Sequence, residues 1–459
     1  MRPKANKAKP KSRPPFNSPP VLRPNAAGID IGAREICVAV PRDRDPEPVR
    51  AFETFTESLP KIADGLVSLG IDTVAMESTG VYWIPLYQIL EARGIEVFLV
   101  NARPVKNVPG RQSDISDCQW LQYLHSVGLR NGSYRPARHV CAARSLFRHR
   151  DSLIEMAASH VQHMQKALDQ MNLQIHHVIS DITGLTGLAI LDAILAGQRD
   201  PVVLAKLRDR RIQASPETIL QSLEGDYRPE HLFTLRQALA AYRHYLQWIA
   251  ACDLEIQSHL RQFESLYEPP PQPAPPPAQR RRGRPCGSHT PGARMEREFH
   301  RIFGVNRIEV PGRNVSTVGT LATEVGPDLS KFRSAGAFSS WLALCPDNES
   351  SGSRILAGKT RRSKSRAREA FRMAAYSLHS STSFLGEYYR RLRARLGAPQ
   401  AITAAAHKLA RIFFHMVTTK QAYNETIFAE QEAIYRQRLH NRLQAQARQL
   451  GYQLVPVAG

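Results

Sequence analysis

The hydrophobic pattern changes character along the chain. From Ala26 it comes in short alternating runs. Ala26–Ile31 and Ile36–Val40 read as two strands joined by a tight turn at Gly32-Ala33-Arg34, with a third strand near Val49–Phe55. Ser58–Leu69 has the spacing of an amphipathic helix closed by Gly70, and Thr73–Met76 is a buried-strand run. Val81–Arg93 predicts a helix closed by Gly94, Ile95–Val100 a strand, and Ser113–Val127 a helix beyond the sheet. Three strands followed by alternating helices and strands describe an α/β sheet with helices packed on it.

Between about 143 and 183 the period changes. Ile154, Ala157, Val161, Met164, Leu168, Met171, Ile175, Val178 and Ile182 follow alternating steps of three and four, a heptad seam. A second seam runs through Leu235, Leu239, Tyr242, Leu246, Ile249, Ile256, Leu260 and Phe263, with Asp253 in one seam position. The pair predicts an antiparallel coiled-coil hairpin or a dimer contact; an ordinary helical bundle fits the same spacing. Prolines over 269–277 and the string Arg280-Arg281-Arg282-Gly283-Arg284-Pro285 then mark a linker. Its basic part reads as a minor-groove hook or a plain phosphate tether. Beyond it, Val310–Asn314 is a turn, and Val315–Val325 is a helix whose N-terminus offers N–H groups to a phosphate. Gly352–Lys364 reads as a loop, Arg366–Ser380 and Ala401–Thr418 as helices.

The expected architecture is therefore α/β plus α. A disordered basic arm (1–25) precedes a ribonuclease-H-like α/β domain (26–142). A helical coiled-coil region (143–267), the linker (268–294), a mainly helical domain (295–430) and a helical tail (431–459) follow.

Charge narrows the function. Lys and Arg number 62 against 41 Asp and Glu, a net +21. That excess calls for a polyanion, most commonly nucleic acid, although a well-solvated ribosomal-type surface has the same balance. Cys37, Cys118, Cys141, Cys252, Cys286 and Cys345 show no C-x-x-C spacing, which argues against a zinc site and fits a reducing cytosol. No run of 18 apolar residues predicts a membrane span, and the N-terminus lacks the apolar core of a signal peptide.

Four acids stand out. Asp30 sits inside the strand string Gly28-Ile29-Asp30-Ile31-Gly32, where a charge is costly unless paired or bound to metal. Alone it also fits a turn cap, or the opening of an actin-like ATPase. Glu77 ends the apolar run Val74-Ala75-Met76, at the carboxyl end of a strand where open α/β sheets place their sites; a helix N-terminal acid is the alternative. Asp114 and Asp117, three apart, share a helix face, and like charges there repel unless a cation lies between them. One of them is enough for a helix cap, so the pair exceeds what capping needs. An all-oxygen set favours Mg²⁺ or Mn²⁺, the cations of phosphodiester chemistry.

Together these strings resemble the DEDD transposases of insertion sequences, whose N-terminal domain is RuvC-like. The resemblance is carried by Gly28–Gly32, Met76-Glu77-Ser78-Thr79-Gly80, Asn101-Ala102-Arg103 and Ser113-Asp114-Ile115-Ser116-Asp117. In the second half it is carried by Val310-Pro311-Gly312, Glu324-Val325-Gly326, Phe332, Trp341-Leu342-Ala343-Leu344-Cys345-Pro346 and Ser351-Gly352. It covers about 26–145 and 295–420. The leading glycine of the family's Ala-Gly-Leu-x-Pro is missing here.

The resemblance implies an RNA-guided recombinase working on element and target DNA. A structured noncoding guide RNA pairs with both, and a carboxylate-held Mg²⁺ assists. Ser351, directly before Gly352, is the implied nucleophile, forming a transient 5′-phosphoserine; Ser350 is its neighbour, and without the resemblance either is an ordinary loop serine. Arg111, Lys359, Arg361, Arg362, Lys364, Arg366 and Arg368 are expected to hold phosphates, with a solvated loop as the plainer reading. The expected setting is a bacterial, nucleoid-associated cytoplasmic homo-oligomer, dimer or tetramer; the sequence leaves open whether Ser351 of one subunit completes the acids of another. The competing enzyme is a RuvC-like nuclease that hydrolyses DNA junctions and needs no serine.

Overall fold

The structure, a computed structural model, describes residues 20–78, 80–100, 114–128, 132–267, 293–306, 309–351 and 354–453. Arg111, Asn101-Ala102-Arg103, Gly352 and nearly all of the expected basic arm and linker lie outside the described residues. The chain forms two compact units, Met1–Arg135 and Pro136–Gly459.

The first unit follows the order β1 (Ala26–Ile31), β2 (Glu35–Ala39), β3 (Val49–Glu53), α1 (Ser58–Ser68), β4 (Thr73–Glu77), α2 (Trp83–Ala92), β5 (Glu96–Val100) and α3 (Asp114–Ser126). The strands form one sheet in the order β3-β2-β1-β4-β5. β1 is antiparallel to β2 and parallel to β4, and β5 is parallel to β4. Strand alternation divides the sheet's faces. Ile29, Ile31, Ile36, Val38, Val74, Met76 and Leu99 point to one side, where they join Leu59, Ile62, Leu66, Leu86 and Leu90 of α1 and α2 in one core. The other residues of each strand face α3, and there the side chains of β1 and β4 are small or polar, while Phe98 and Val100 of β5 pack on His125 and Leu121.

Gly28 explains how close α3 comes. A Cβ at this position would lie 2.2 Å from the Cys118 carbonyl oxygen and 2.3 Å from the Gln122 nitrogen, so the helix backbone rests directly on β1. Gly28→Ala is expected to force the helix off the sheet, at a cost of about 3 kcal/mol or more. A denaturation midpoint unchanged from the parent would show that the contact is not that tight.

The far end of α3 is fixed by His125, which is fully buried. Arg23 can only donate, so its Nη1 gives a hydrogen bond to His125 Nδ1 (3.1 Å), leaving Nε2–H to donate to Thr73 Oγ1 (2.8 Å). The Thr73 hydroxyl in turn donates to the Glu96 carbonyl (3.1 Å). The amides of Leu22 and Arg23 also donate to the Ser126 carbonyl. The expectation of a disordered arm reaching residue 25 is corrected here for residues 22 and 23, which hydrogen-bond to the end of α3 in a way that a basic composition does not reveal.

Burial, and then Arg23, hold the His125 imidazole down at about 4, against an ordinary 6.5. The unfolded chain therefore takes up a proton that the folded one refuses. Stability conferred by neutral His125 is complete above about pH 6.5 and is lost as pH falls toward about 4. Thermal melts across that window should show the decline, and His125→Gln should flatten it; an equally steep decline in the variant would remove His125 as its source.

The second unit begins with α4 (Arg138–Gln170) and continues through α5 (Ile175–Val178), α6 (Leu185–Leu195), α7 (Pro201–Ala205), α8 (Pro216–Gln221) and α9 (Pro229–Arg261). Then come α10 (Ala293–Phe303), α11 (Val315–Glu324), α12 (Ala335–Trp341), β6 (Glu349–Ser351), β7 (Arg354–Ala357), α13 (Arg366–Ser377), α14 (Phe384–Leu396), α15 (Ala398–Thr419) and α16 (Ala429–Gln449). α4 and α9 pair antiparallel within the chain. Cys252 donates to the Leu146 carbonyl, Arg150 holds Asp253, and the rings of His160 and Tyr245 stack further along. Asp253, the polar residue in the second seam, is thus answered by the buried Arg150, with Nε to Oδ1 at 2.5 Å.

The first seam does not continue as one helix to residue 182. α4 ends at Gln170, and Asn172 turns the chain at φ 55°, a left-handed conformation that asparagine tolerates. Met171, Ile175 and Ile182 are still buried, so the heptad spacing marked burial across a turn. One hydrophobic core runs from α4 and α9 into the C-terminal helices. α11 joins it through Arg148, which grips Glu324 with two bonds of 2.8 Å, while Arg144 caps the Thr323 and Glu324 carbonyls.

Candidate functional site

The register of the sheet brings the first two acids together. Ile29 lies opposite Met76 across the parallel β1–β4 pair. Asp30 and Glu77 are the next residues on each strand, on the face toward α3, on backbones about 4.8 Å apart. Glu77 is also the register partner of Val100, the last residue of β5.

The helix supplies the other two. Residues 114, 118 and 122 form one row along α3, four residues apart. Gln122 Nε2 donates to the Ala26 carbonyl (3.1 Å), and the backbone of Cys118 and Gln122 closes on Gly28. The row therefore runs antiparallel to β1, and Asp114, the first residue of α3, takes the place level with Asp30. The side chain of Asp114 lies outside the described residues. A second row contains Asp117 and Leu121. Leu121 packs on Val100, so Asp117, one turn earlier, lies on the Glu77 side. Asp30, Glu77 and Asp117 thus lie toward the carboxyl ends of β1 and β4, where α3 begins at Asp114.

The electrostatics of this corner are unusual for a solvated surface. Glu77 is 5% exposed and Asp117 8%, and Asp30 is half-buried. Gathering carboxylates away from water is costly unless a cation balances them. The donors are all oxygen, which fits a hard cation such as Mg²⁺ or Mn²⁺ and suits a soft ion poorly. Cys118 is not part of the donor set. Burial, then Cys37 and Asp30, push its thiol up to about 12, so it stays protonated and inert.

The second sequence-predicted site lies in the second unit. The expectation of a loop over Gly352–Lys364 is corrected: β6 and β7 form an antiparallel hairpin, with Ser351 opposite Arg354. The Ser, Gly, Lys and Arg on either side concealed it, although β7 itself carries Ile355-Leu356-Ala357. Ser351 is the last residue of β6 and is exposed. At the hairpin's base the Asp347 amide donates to the Lys359 carbonyl.

Lys359, Arg362 and Lys364 are exposed, as a phosphate-holding role requires. Two neighbours are engaged within the protein. Arg361 Nη2 donates to the Ser340 carbonyl (2.5 Å), and Arg366 pairs with Asp151 at 2.6 Å. Arg368 donates to the Ser363 carbonyl, so it too braces the segment. The helix start expected to offer N–H groups to a phosphate is capped instead by its own Asn314, whose Oδ1 accepts from Thr317 N at 2.8 Å. Sequence reasoning missed the contact at Gly28; a glycine two positions before an in-strand acid, on the same face, was the available signal.

Among the described residues no helix is long and apolar enough to cross a membrane. Residues 27–173 match the family model for IS110-type DEDD transposases. Residues 308–390 match the model described as the transposase IS116/IS110/IS902 family. The first match contains all four acids and the second contains Ser351. No curated protein matches the chain.

Proposed function

The chain belongs to the IS110-type family of DEDD transposases, enzymes that cut and transfer DNA, and from that premise we propose a specific division of chemistry. Asp30, Glu77, Asp114 and Asp117 hold a divalent cation, and Ser351 is the nucleophile that takes the cut strand. The observation that carries this reading is the seating of α3 on Gly28, which gathers acids from three elements at one end of the sheet. The strand order β3-β2-β1-β4-β5 supports the ribonuclease-H-like, RuvC-like assignment of the first unit.

When bound, Mg²⁺ or Mn²⁺ lowers the charge on a phosphate and stabilises the attacking and leaving oxygens. The acids fix where that happens, because α3 and the two strands set their positions without the substrate. Ser351 Oγ attacks phosphorus, the Oγ–P bond forms, and the P–O3′ bond breaks. The hydroxyl proton leaves Ser351 and the departing 3′-oxygen takes one up. The phosphodiester is exchanged and not hydrolysed, so a new 3′-hydroxyl can reverse the step without ATP. Lys359, Arg362 and Lys364, close in sequence to the serine and exposed, hold the strand's phosphates, together with Arg111.

The partners follow from charge and surface. A net +21 suits both DNA and a structured noncoding guide RNA. Exposed Met156, Phe233, Trp248 and Leu254 on the α4–α9 hairpin support a homo-oligomer. The expected setting is the bacterial nucleoid. Ser351→Ala tests the reading against its rival: a hydrolytic junction nuclease keeps its cleavage, whereas a serine recombination enzyme loses it.

A further inference from the structure

One cluster lies apart from this chemistry. At the end of α4, Asp169 meets His176 and His177 of α5. His176 Nε2 stands 3.3 Å and His177 Nε2 3.6 Å from the same oxygen, Asp169 Oδ1. The three ligand atoms all lie within 4.8 Å of one another, and among the described residues this is the group of His, Cys, Asp and Glu side chains that converges so closely. The two imidazoles are 4.0 Å apart between ring centres.

We propose that Asp169, His176 and His177 form a binding site for a borderline divalent cation such as Zn²⁺, separate from the carboxylate site. Three observations support it. First, the spacing is that of ligands already in place. Two donors each about 2.1 Å from a tetrahedral ion stand about 3.4 Å apart, between the observed 3.3 and 3.6 Å. Both ring nitrogens nevertheless face one carboxylate oxygen without a hydrogen bond to it.

Second, His176 is aimed into the cluster from a buried position. Its side chain is 5% exposed, and the nitrogen it turns to Asp169 is Nε2.

Third, the backbone that presents the histidines is fixed. Asn172 holds its left-handed turn, the Gln174 amide donates to the Ser222 carbonyl, and the Asp226 amide donates to the Met171 carbonyl. A preformed site loses little conformational freedom on binding. Two imidazoles and one carboxylate leave a position for water and select Zn²⁺, Co²⁺ or Ni²⁺ over Mg²⁺. The absence of C-x-x-C spacing excluded a cysteine site and had no bearing on this one. Such an ion would staple α5 to the end of α4.

Metal-free full-length protein, titrated with Zn²⁺ by calorimetry in excess Mg²⁺, tests the assignment. Its Co²⁺ form should also show the intense visible bands of a four-coordinate ion. One site per chain is expected, weakened at least about tenfold in His177→Ala and in Asp169→Asn, and retained in Asp30→Asn. His177 and Asp169 are exposed enough for these variants to fold. Equal binding by the parent and His177→Ala, or loss of the site in Asp30→Asn, would overturn it.

Discussion

Asp30→Asn leaves strand cleavage at least about 10³-fold below the parent rate while the protein remains folded. The size follows from the chemistry asked of the acids: a cation held at the phosphate contributes several kcal/mol to the transition state, and each 1.36 kcal/mol is tenfold in rate. Asparagine has the same shape and keeps one oxygen, so the sheet and α3 do not move. It lacks the charge by which the proposed site would hold the cation. Removing one of several crowded carboxylates also relieves repulsion, so without Mg²⁺ the variant should melt no earlier than the parent. Mg²⁺-dependent cleavage by guide-loaded protein, followed beside a thermal melt, separates the two effects. Cleavage within tenfold of the parent would remove Asp30 from the site.

Ser351→Ala is expected to abolish both strand exchange and the covalent protein–DNA species, with a loss of about 10³-fold or more in cleavage. Ser351 is exposed at the end of β6, so alanine costs nothing in packing and the hairpin persists. Ser350→Ala is the matched control. It removes a hydroxyl one residue away and should leave exchange intact. A variant pair that behaves alike would place the chemistry elsewhere in the hairpin.

Much of the first unit was legible in the pattern of apolar residues, because each strand has a buried face and two-residue alternation reports it directly. Asp30 and Glu77 could be found for the same reason: a charge that interrupts such a run demands an explanation. Their meeting with Asp117 was less legible. It depends on a helix crossing β1 in van der Waals contact, and only the missing side chain of Gly28 records that crossing. The heptad rows of α4 correctly marked buried positions but not where the helix stops. Asn172 ends it, and asparagine is not a strong helix breaker. The β6–β7 hairpin was hidden by the Ser/Gly and Lys/Arg residues that flank the short apolar run Ile355-Leu356-Ala357. The Asp169, His176 and His177 cluster was hidden because its members belong to two helices joined by that same turn.

The central claim is that the cut strand passes to Ser351, and one experiment meets it directly. DNA labelled 3′ to the cleaved phosphate is reacted with guide-loaded protein and Mg²⁺, and the products are separated under denaturing conditions. The expected result is label migrating with the protein, located by peptide mass spectrometry as a phosphonucleotide on Ser351 and absent from Ser351→Ala and Asp30→Asn. Cleaved DNA bearing a free 5′-phosphate, with no label on the protein and undiminished in Ser351→Ala, would contradict it.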